Sequence, residues 1–224
     1  NPVNNKANCL IIEEFHGAPY TLQVLLMPKI VDHDERRERI VEIVAEMLAT
    51  VGAEKTTIRE IARQSGYSRG FIEHYFHDKE ELISKTIRWI NERSLQRVNE
   101  ALDGKTGLAA LRTFNELTLP ITPEARNEWK IRMQFWGLAA VSDEHRREQS
   151  KRIHVSEKII IGYLQQAQEN GELEKGIDLE PLAHSMLHRL YGLGCNAILR
   201  PAYFTRQRQL QALDHIMAEF VKAR

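Results

Sequence analysis

The stretch Thr57-Ile-Arg-Glu-Ile-Ala-Arg-Gln-Ser-Gly-Tyr-Ser-Arg-Gly-Phe-Ile-Glu-His-Tyr-Phe-His-Asp-Lys-Glu-Glu-Leu82 decides the fold. Thr57 stands three residues before Glu60, the spacing of a capping box, and Ile58, Ile61 and Ala62 form one apolar stripe of a short helix. Gly66 supplies the left-handed backbone that stops this helix within one residue. Ser68 is placed to cap a second helix whose outer face offers Arg69, Glu73 and His74. Two short helices joined by a tight turn make a helix-turn-helix, a unit that lays its second helix in the major groove of DNA.

Working outward, the apolar residues Ile40, Val41, Ile43, Val44, Met47, Leu48 and Val51 follow helical spacing, and Gly52 ends that run. On the other side, Asp78 caps a helix with Glu81 three residues on, and its pattern runs through Leu82, Ile83, Ile87, Ile90 and Leu95 to about Leu102. Gly104 and Gly107 bracket a turn that separates the two halves of the chain. Beyond it, helices are expected over about 108–119, 122–141, 143–170, 178–199 and 205–222. Pro120, Thr122-Pro123, Asn170-Gly171, Asp178 and Arg200-Pro201 punctuate them. The count is nine helices and no convincing strand, so the fold class is all-α. Residues 1–26 carry neither a helical period nor capping signals, and Met27 has the look of a natural start. Residues 1–33 are therefore expected to be a poorly ordered or non-native extension, with a short extended piece over 22–27.

Composition narrows the function classes. The chain has 224 residues, 42% hydrophobic and 28% charged, as in an ordinary globular protein. Cys9 and Cys195 are too few for a disulfide framework or a four-ligand zinc site, which suits a reduced cytoplasmic compartment. No stretch has the roughly 18 uninterrupted apolar residues of a membrane helix. Formal net charge is zero, and residues 28–80 hold nine Lys/Arg against eleven Asp/Glu, a net −2. That balance argues against a general nucleic-acid coat protein, and it leaves a site-specific reader untouched.

Thr57-Ile-Arg-Glu-Ile-Ala, Gly66-Tyr-Ser-Arg-Gly and His74-Tyr-Phe-His-Asp-Lys-Glu-Glu-Leu82 resemble the DNA-binding end of TetR-type transcriptional repressors. The later Met133-Gln-Phe-Trp-Gly-Leu-Ala-Ala and the segment from Tyr191-Gly-Leu-Gly to Leu213 are more faintly similar to the choline-responsive BetI branch. The resemblance implies a homodimer, with a three-helix head over 34–80 and a six-helix regulatory and dimerisation body over 81–224. The last two helices of each body would pair with those of the partner. An inducer inside the body would move the helix from Lys79 to Leu102, change the separation of the heads and release a near-palindromic operator.

For DNA contact, Lys79 at a helix start is suited to a phosphate, and the resemblance assigns Thr57 and Tyr75 to the backbone. Arg59 and Arg69 suit guanine edges, and Gly70 permits close approach of the helix. Glu73, where the family often has Tyr, would accept from cytosine or repel wrong sites. Ser68 and His74 complete the expected interface. For the inducer, Trp129, Met133 and Trp136 recur at helical spacing, either as core or as the wall of a cavity with cation–π capacity. Trp89, His188 and Tyr191 are the further candidates.

Three patterns invite other chemistry. His184, His188, Tyr191 and Cys195 share a helix face, but seven residues separate His188 from Cys195, about 10 Å along the axis, so one ion cannot reach both. Gly192-Leu-Gly-Cys-Asn-Ala197 satisfies a loose dinucleotide fingerprint inside an apparent helix, where small residues permit close packing instead. His74 and His77 beside Glu73 and Asp78 resemble an acid–base cluster but belong to the reading head. No nucleophile has an oriented base, and no metal, cofactor or catalytic residue is expected. The alternatives to a regulator are an all-helical enzyme with a vestigial head and a ligand-independent interaction protein.

Overall fold

The structure, a computed structural model, describes residues 33–221. The expectations placed on residues 1–26, on Cys9 and on the last turn at Lys222 lie outside the described residues, and His33 already begins the first helix.

Ten α-helices succeed one another among the described residues: α1 (His33–Thr50), α2 (Gly52–Lys55), α3 (Ile58–Ser65), α4 (Arg69–Tyr75), α5 (Lys79–Leu102), α6 (Gly107–Thr118), α7 (Pro123–Val141), α8 (Asp143–Glu169), α9 (Leu179–Leu199) and α10 (Arg206–Val221). The all-α class is as expected, and the count exceeds the expected nine by α2. Gly52 explains the extra turn: at φ +82° it reverses the chain after α1, and Thr56 then closes one helical turn onto the Gly52 carbonyl through both its N–H and its hydroxyl. Such a turn is too short to show a hydrophobic period.

The helix starts follow local chemistry. Thr57, Ser68, Asp78 and Thr122 accept hydrogen bonds from the N–H groups of Glu60, Phe71, Glu81 and Ala125, three residues on in each case. Only half of the capping box forms at Thr57, because the Glu60 carboxylate turns to Arg63 and Gln64. Gly66 sits at φ +72° and ends α3 with its N–H on the Ala62 carbonyl, leaving a three-residue turn before α4.

Helices α1, α3 and α4 pack around Ile40, Val44, Leu48, Ile61, Ile72 and Phe76, all essentially solvent-free. That core does not stop at the head. Ile83, Ile87 and Ile90 of α5 and Ile131, Phe135 and Ala139 of α7 belong to the same cluster. A second core, around Leu111, Leu119, Ile160, Leu164, Met186 and Leu213, joins α6, α8, α9 and α10. Helix α8 is its spine, lying against α6, α7 and α9, while α10 rests on α9 and α6.

The cap on α5 is the local device at the junction of head and body. Asp78→Ala is expected to cost about 1 kcal/mol and to lower Tm by about 2–4 °C, read by thermal unfolding under circular dichroism, with Asp78→Asn keeping most of the wild-type stability.

Candidate functional site

Helix α4 is amphipathic over seven residues: Ile72 is buried, while Arg69, Gly70, Glu73 and His74 are exposed. Arg69 and Glu73, one turn apart, form an ion pair at 2.7 Å. Two of the three candidate base readers are therefore partners in the free protein. A Cβ at Gly70 would meet nothing, so the approach to the backbone there is open. Thr57 and Arg59 are exposed at the start of α3, and Thr57 spends its hydroxyl on the cap. Lys79 is the first residue of α5 and half-buried. Beside it, Glu81 is paired with Lys85 at 2.6 Å and accepts the His77 N–H at 2.6 Å, and these contacts hold its carboxyl below the usual range. The Arg63 guanidinium, helped by Gln64, pulls the exposed Glu60 carboxyl down to about 2.

Two cations of this region escaped the sequence reading. Arg36 lies 5.6 Å from the Phe71 ring centroid and Arg37 lies 5.9 Å from that of Tyr75. Both open α1, where a positive charge opposes the helix dipole. Tandem basic residues at a helix N-terminus were the signal that something other than helix stability places them.

The body encloses a cavity of about 510 Å³ between α5, α6, α7, α8 and α9, a volume ordinary for a small organic ligand. Of the expected ligand residues, Trp129 and Tyr191 line it. Trp136 stands behind them, its ring 5.1 Å from Tyr191 and 5.9 Å from Trp129, with its Nε1 buried and unpartnered. Met133 and Trp89 are not in the wall; Trp89 instead donates to Glu38 at 3.2 Å and so ties α5 to α1. His188 is exposed on the far side of α9, and His184 lies 3.3 Å from Glu157.

The cavity wall also carries charge that sequence reasoning missed. Arg132, three residues beyond Trp129, lies 5.2 Å from that indole and within 3.5 Å of Asn91 Oδ1. Arg152 of α8 lies 4.5 Å from the Phe135 ring centroid and binds Glu148 at 2.5 Å, while its Nη1 is buried without a partner. Burial pushes both guanidiniums below their ordinary pKa, and it pushes the Tyr191 hydroxyl up. Spacing gave the only clue: Arg132 follows Trp129, and Arg152 precedes Val155 and Ile159, on wall-facing sides of their helices.

An exposed helix-turn-helix on a helical body is the architecture of a DNA-binding transcription regulator. Residues 40–86 match the tetR family of bacterial regulatory proteins, and residues 108–222 match the C-terminal domain of BetI-type transcriptional repressors. The chain belongs to the TetR family of transcriptional regulators, with a BetI-type C-terminal half. It is 26% identical over 187 residues to the HTH-type transcriptional regulator PksA of Bacillus subtilis, covering 81% of this chain and 88% of that one. It is 29% identical over 124 residues to BetI of Yersinia pestis, covering 53% and 61%. A transcriptional regulator from Saccharomonospora viridis in complex with choline shares the fold at TM-score 0.76 and 22% identity, over 83% of this chain and 96% of that one.

Gly194 is what lets Trp129 reach the cavity. A methyl group there would overlap the indole ring, whose Nε1 is fixed on the Thr118 carbonyl at 2.6 Å. Gly194→Ala is expected to displace Trp129, cost about 1–3 kcal/mol and shift the tryptophan emission, measured by denaturant unfolding and fluorescence.

Proposed function

We propose that the protein is a ligand-responsive repressor. It binds a near-palindromic operator as a homodimer through residues 34–80 and leaves it when a small-molecule inducer enters the body over 81–224. The observation that carries the reading is the double duty of α5. Its first turn holds Lys79 and Leu82 in the head, and its middle gives Ile87, Arg88, Asn91, Leu95 and Val98 to the cavity wall. A molecule that wedges against that wall shifts the helix on which the head is mounted. The choline held by the regulator from Saccharomonospora viridis supports an effector role for a cavity with aromatic walls.

Pairing through α9 and α10 is supported by what α9 leaves uncovered. His188, Gly192 and Asn196, four residues apart, are exposed along one face and are followed by Leu199 at 68% exposure. Small and mixed residues on one stripe suit a helix-to-helix seam. A helical, reduced, DNA-reading protein of this kind works in the cytoplasm, and no described helix is long and apolar enough to cross a membrane.

On the operator, Arg69 leaves Glu73 for a guanine edge, Arg59 reads from α3, and Thr57, Ser68, Gly70, His74, Tyr75 and Lys79 position the helix on the backbone. An exposed i,i+4 pair is worth only about 0.3–0.5 kcal/mol, so the exchange is easily made. Glu73 then stands free to accept from cytosine or to repel a mismatched site.

Selection of genomic fragments by the purified protein should recover a near-palindrome with half-sites about one helical turn apart; enrichment of nothing at low salt would defeat the proposal. Against the recovered site, Arg69→Ala should lose about 1–3 kcal/mol and relax preference at one position. Lys79→Ala should weaken all sequences alike and flatten the salt dependence, both read by fluorescence anisotropy.

A further inference from the structure

We propose that the cavity takes an amphiphilic anion, one carboxylate on an apolar body, with Arg132 and Arg152 holding the carboxylate; this rests on the reading of the cavity as an effector site. The charged side chains in the wall are Arg88, Lys151, Arg132 and Arg152 against Glu92 and Glu148. One of the two acids is already used, since Glu148 pairs with Arg152. Arg132 and Arg88 form no ion pair among the described residues, and Arg132 has only the neutral Asn91 within hydrogen-bond reach.

A partly buried guanidinium with no carboxylate of its own, the nearby Glu128 being bonded to Arg97, is a costly arrangement, and Arg152 in addition carries an orphaned donor at Nη1. The like charges of Arg88 and Arg132 act on Arg152, so positive potential gathers around the partly buried Arg132 and Arg152, with Arg88 and Lys151 on the exposed rim. A carboxylate relieves all three deficits at once: it accepts from Nη1, offers a planar fork to guanidinium and neutralises the cluster. The rest of the wall, with Val98, Phe114, Leu119, Leu187 and Leu190, takes the apolar body.

A quaternary ammonium suits this wall poorly. The indole of Trp129, the natural cation–π platform, already carries the Arg132 guanidinium, so a second cation would stack beside a like charge. Of the two glutamates in the wall, Glu148 is taken by Arg152 and Glu92 is exposed to solvent.

The test compares three ten-carbon probes on the full chain: decanoate, decan-1-ol and decyltrimethylammonium. Tryptophan fluorescence titration and thermal unfolding read binding to wild type, Arg132→Gln, Arg132→Lys and Arg152→Gln. Decanoate is expected to bind at least tenfold more tightly than either other probe. Both Gln variants should lose at least tenfold for decanoate while binding decan-1-ol as wild type does, and Arg132→Lys should keep part of the affinity. Unfolding of each variant without probe separates a lost fold from a lost ligand. Preference for decyltrimethylammonium, equal decanoate affinity in the Gln variants, or no binding of any probe would each overturn the assignment. Decanoate that binds as expected yet leaves operator affinity unchanged would instead defeat the inducer reading and leave the ligand class standing.

Discussion

The structure depends on one shared core. Ile131, Phe135 and Ala139 of α7 are buried in the same cluster as Ile40, Val44, Ile61 and Ile72 of the reading head. A head closed on itself would swivel freely on the body, and nothing that happened in the cavity would reach it. Here the contact is apolar and is finished by polar clamps. Gln134 accepts the Ala53 N–H at 2.6 Å and donates to the Leu48 carbonyl at 2.8 Å, while Lys130 reaches the Ala49 carbonyl at 3.3 Å. These groups bind the frayed end of α1 and the start of α2, where backbone carbonyls and amides lack helical partners. Because packed cores resist continuous deformation, a displacement of α7 or α5 is passed on as a rigid shift.

The same two helices form opposite surfaces at once. On α7, Trp129 and Arg132 face the cavity, while Ile131, Phe135 and Gln134 face the head. On α5, Leu82 and Ile83 close the head core, and Leu95 and Val98 open onto the cavity. Trp89 lies between, bonded to Glu38, with Arg93 stacked on its ring and paired to Glu42. Trp89 thus belongs to the contact between α5 and α1 and not to the cavity wall.

How far the sequence could be read follows from the range of the forces. The helices and their ends were legible because a cap acts within three residues: Thr57, Ser68, Asp78 and Thr122 each bond as their spacing implies. The one-turn α2 was not, since four residues hold no period. In the cavity, Trp129 was legible as an aromatic recurring with Met133 and Trp136 at helical spacing, and Tyr191 as a member of the mixed face of His184, His188 and Cys195. Arg132, Arg152 and Arg88 were not, because a lone arginine on a helix reads as solvated until three other helices enclose it. Gly194 was visible as a small residue inside a helix, yet only the tertiary fold shows that the neighbour it admits is the Trp129 ring.

The net charge of −2 over residues 28–80 argues only against a general coat for nucleic acid, and the ion pairs show how such a sum is distributed. Within this region Glu42 is held by Arg39 and Arg93, Glu60 by Arg63 and Glu73 by Arg69, and just beyond it Glu81 is held by Lys85. Most of these pairs lie along one helix, so they neutralise charge locally and within a Debye length, leaving little repulsive field to meet a phosphate. Arg59 and Lys79 form no ion pair among the described residues, and Arg36 and Arg37 lie over the rings of Phe71 and Tyr75. Glu60 of α3 and Glu73 of α4 are paired while Arg59 and Lys79 are not, so the sum over the segment does not describe the charge along these two helices. Association with DNA then rests on a few placed charges rather than on a general field, as a reader that must reject most sequences requires.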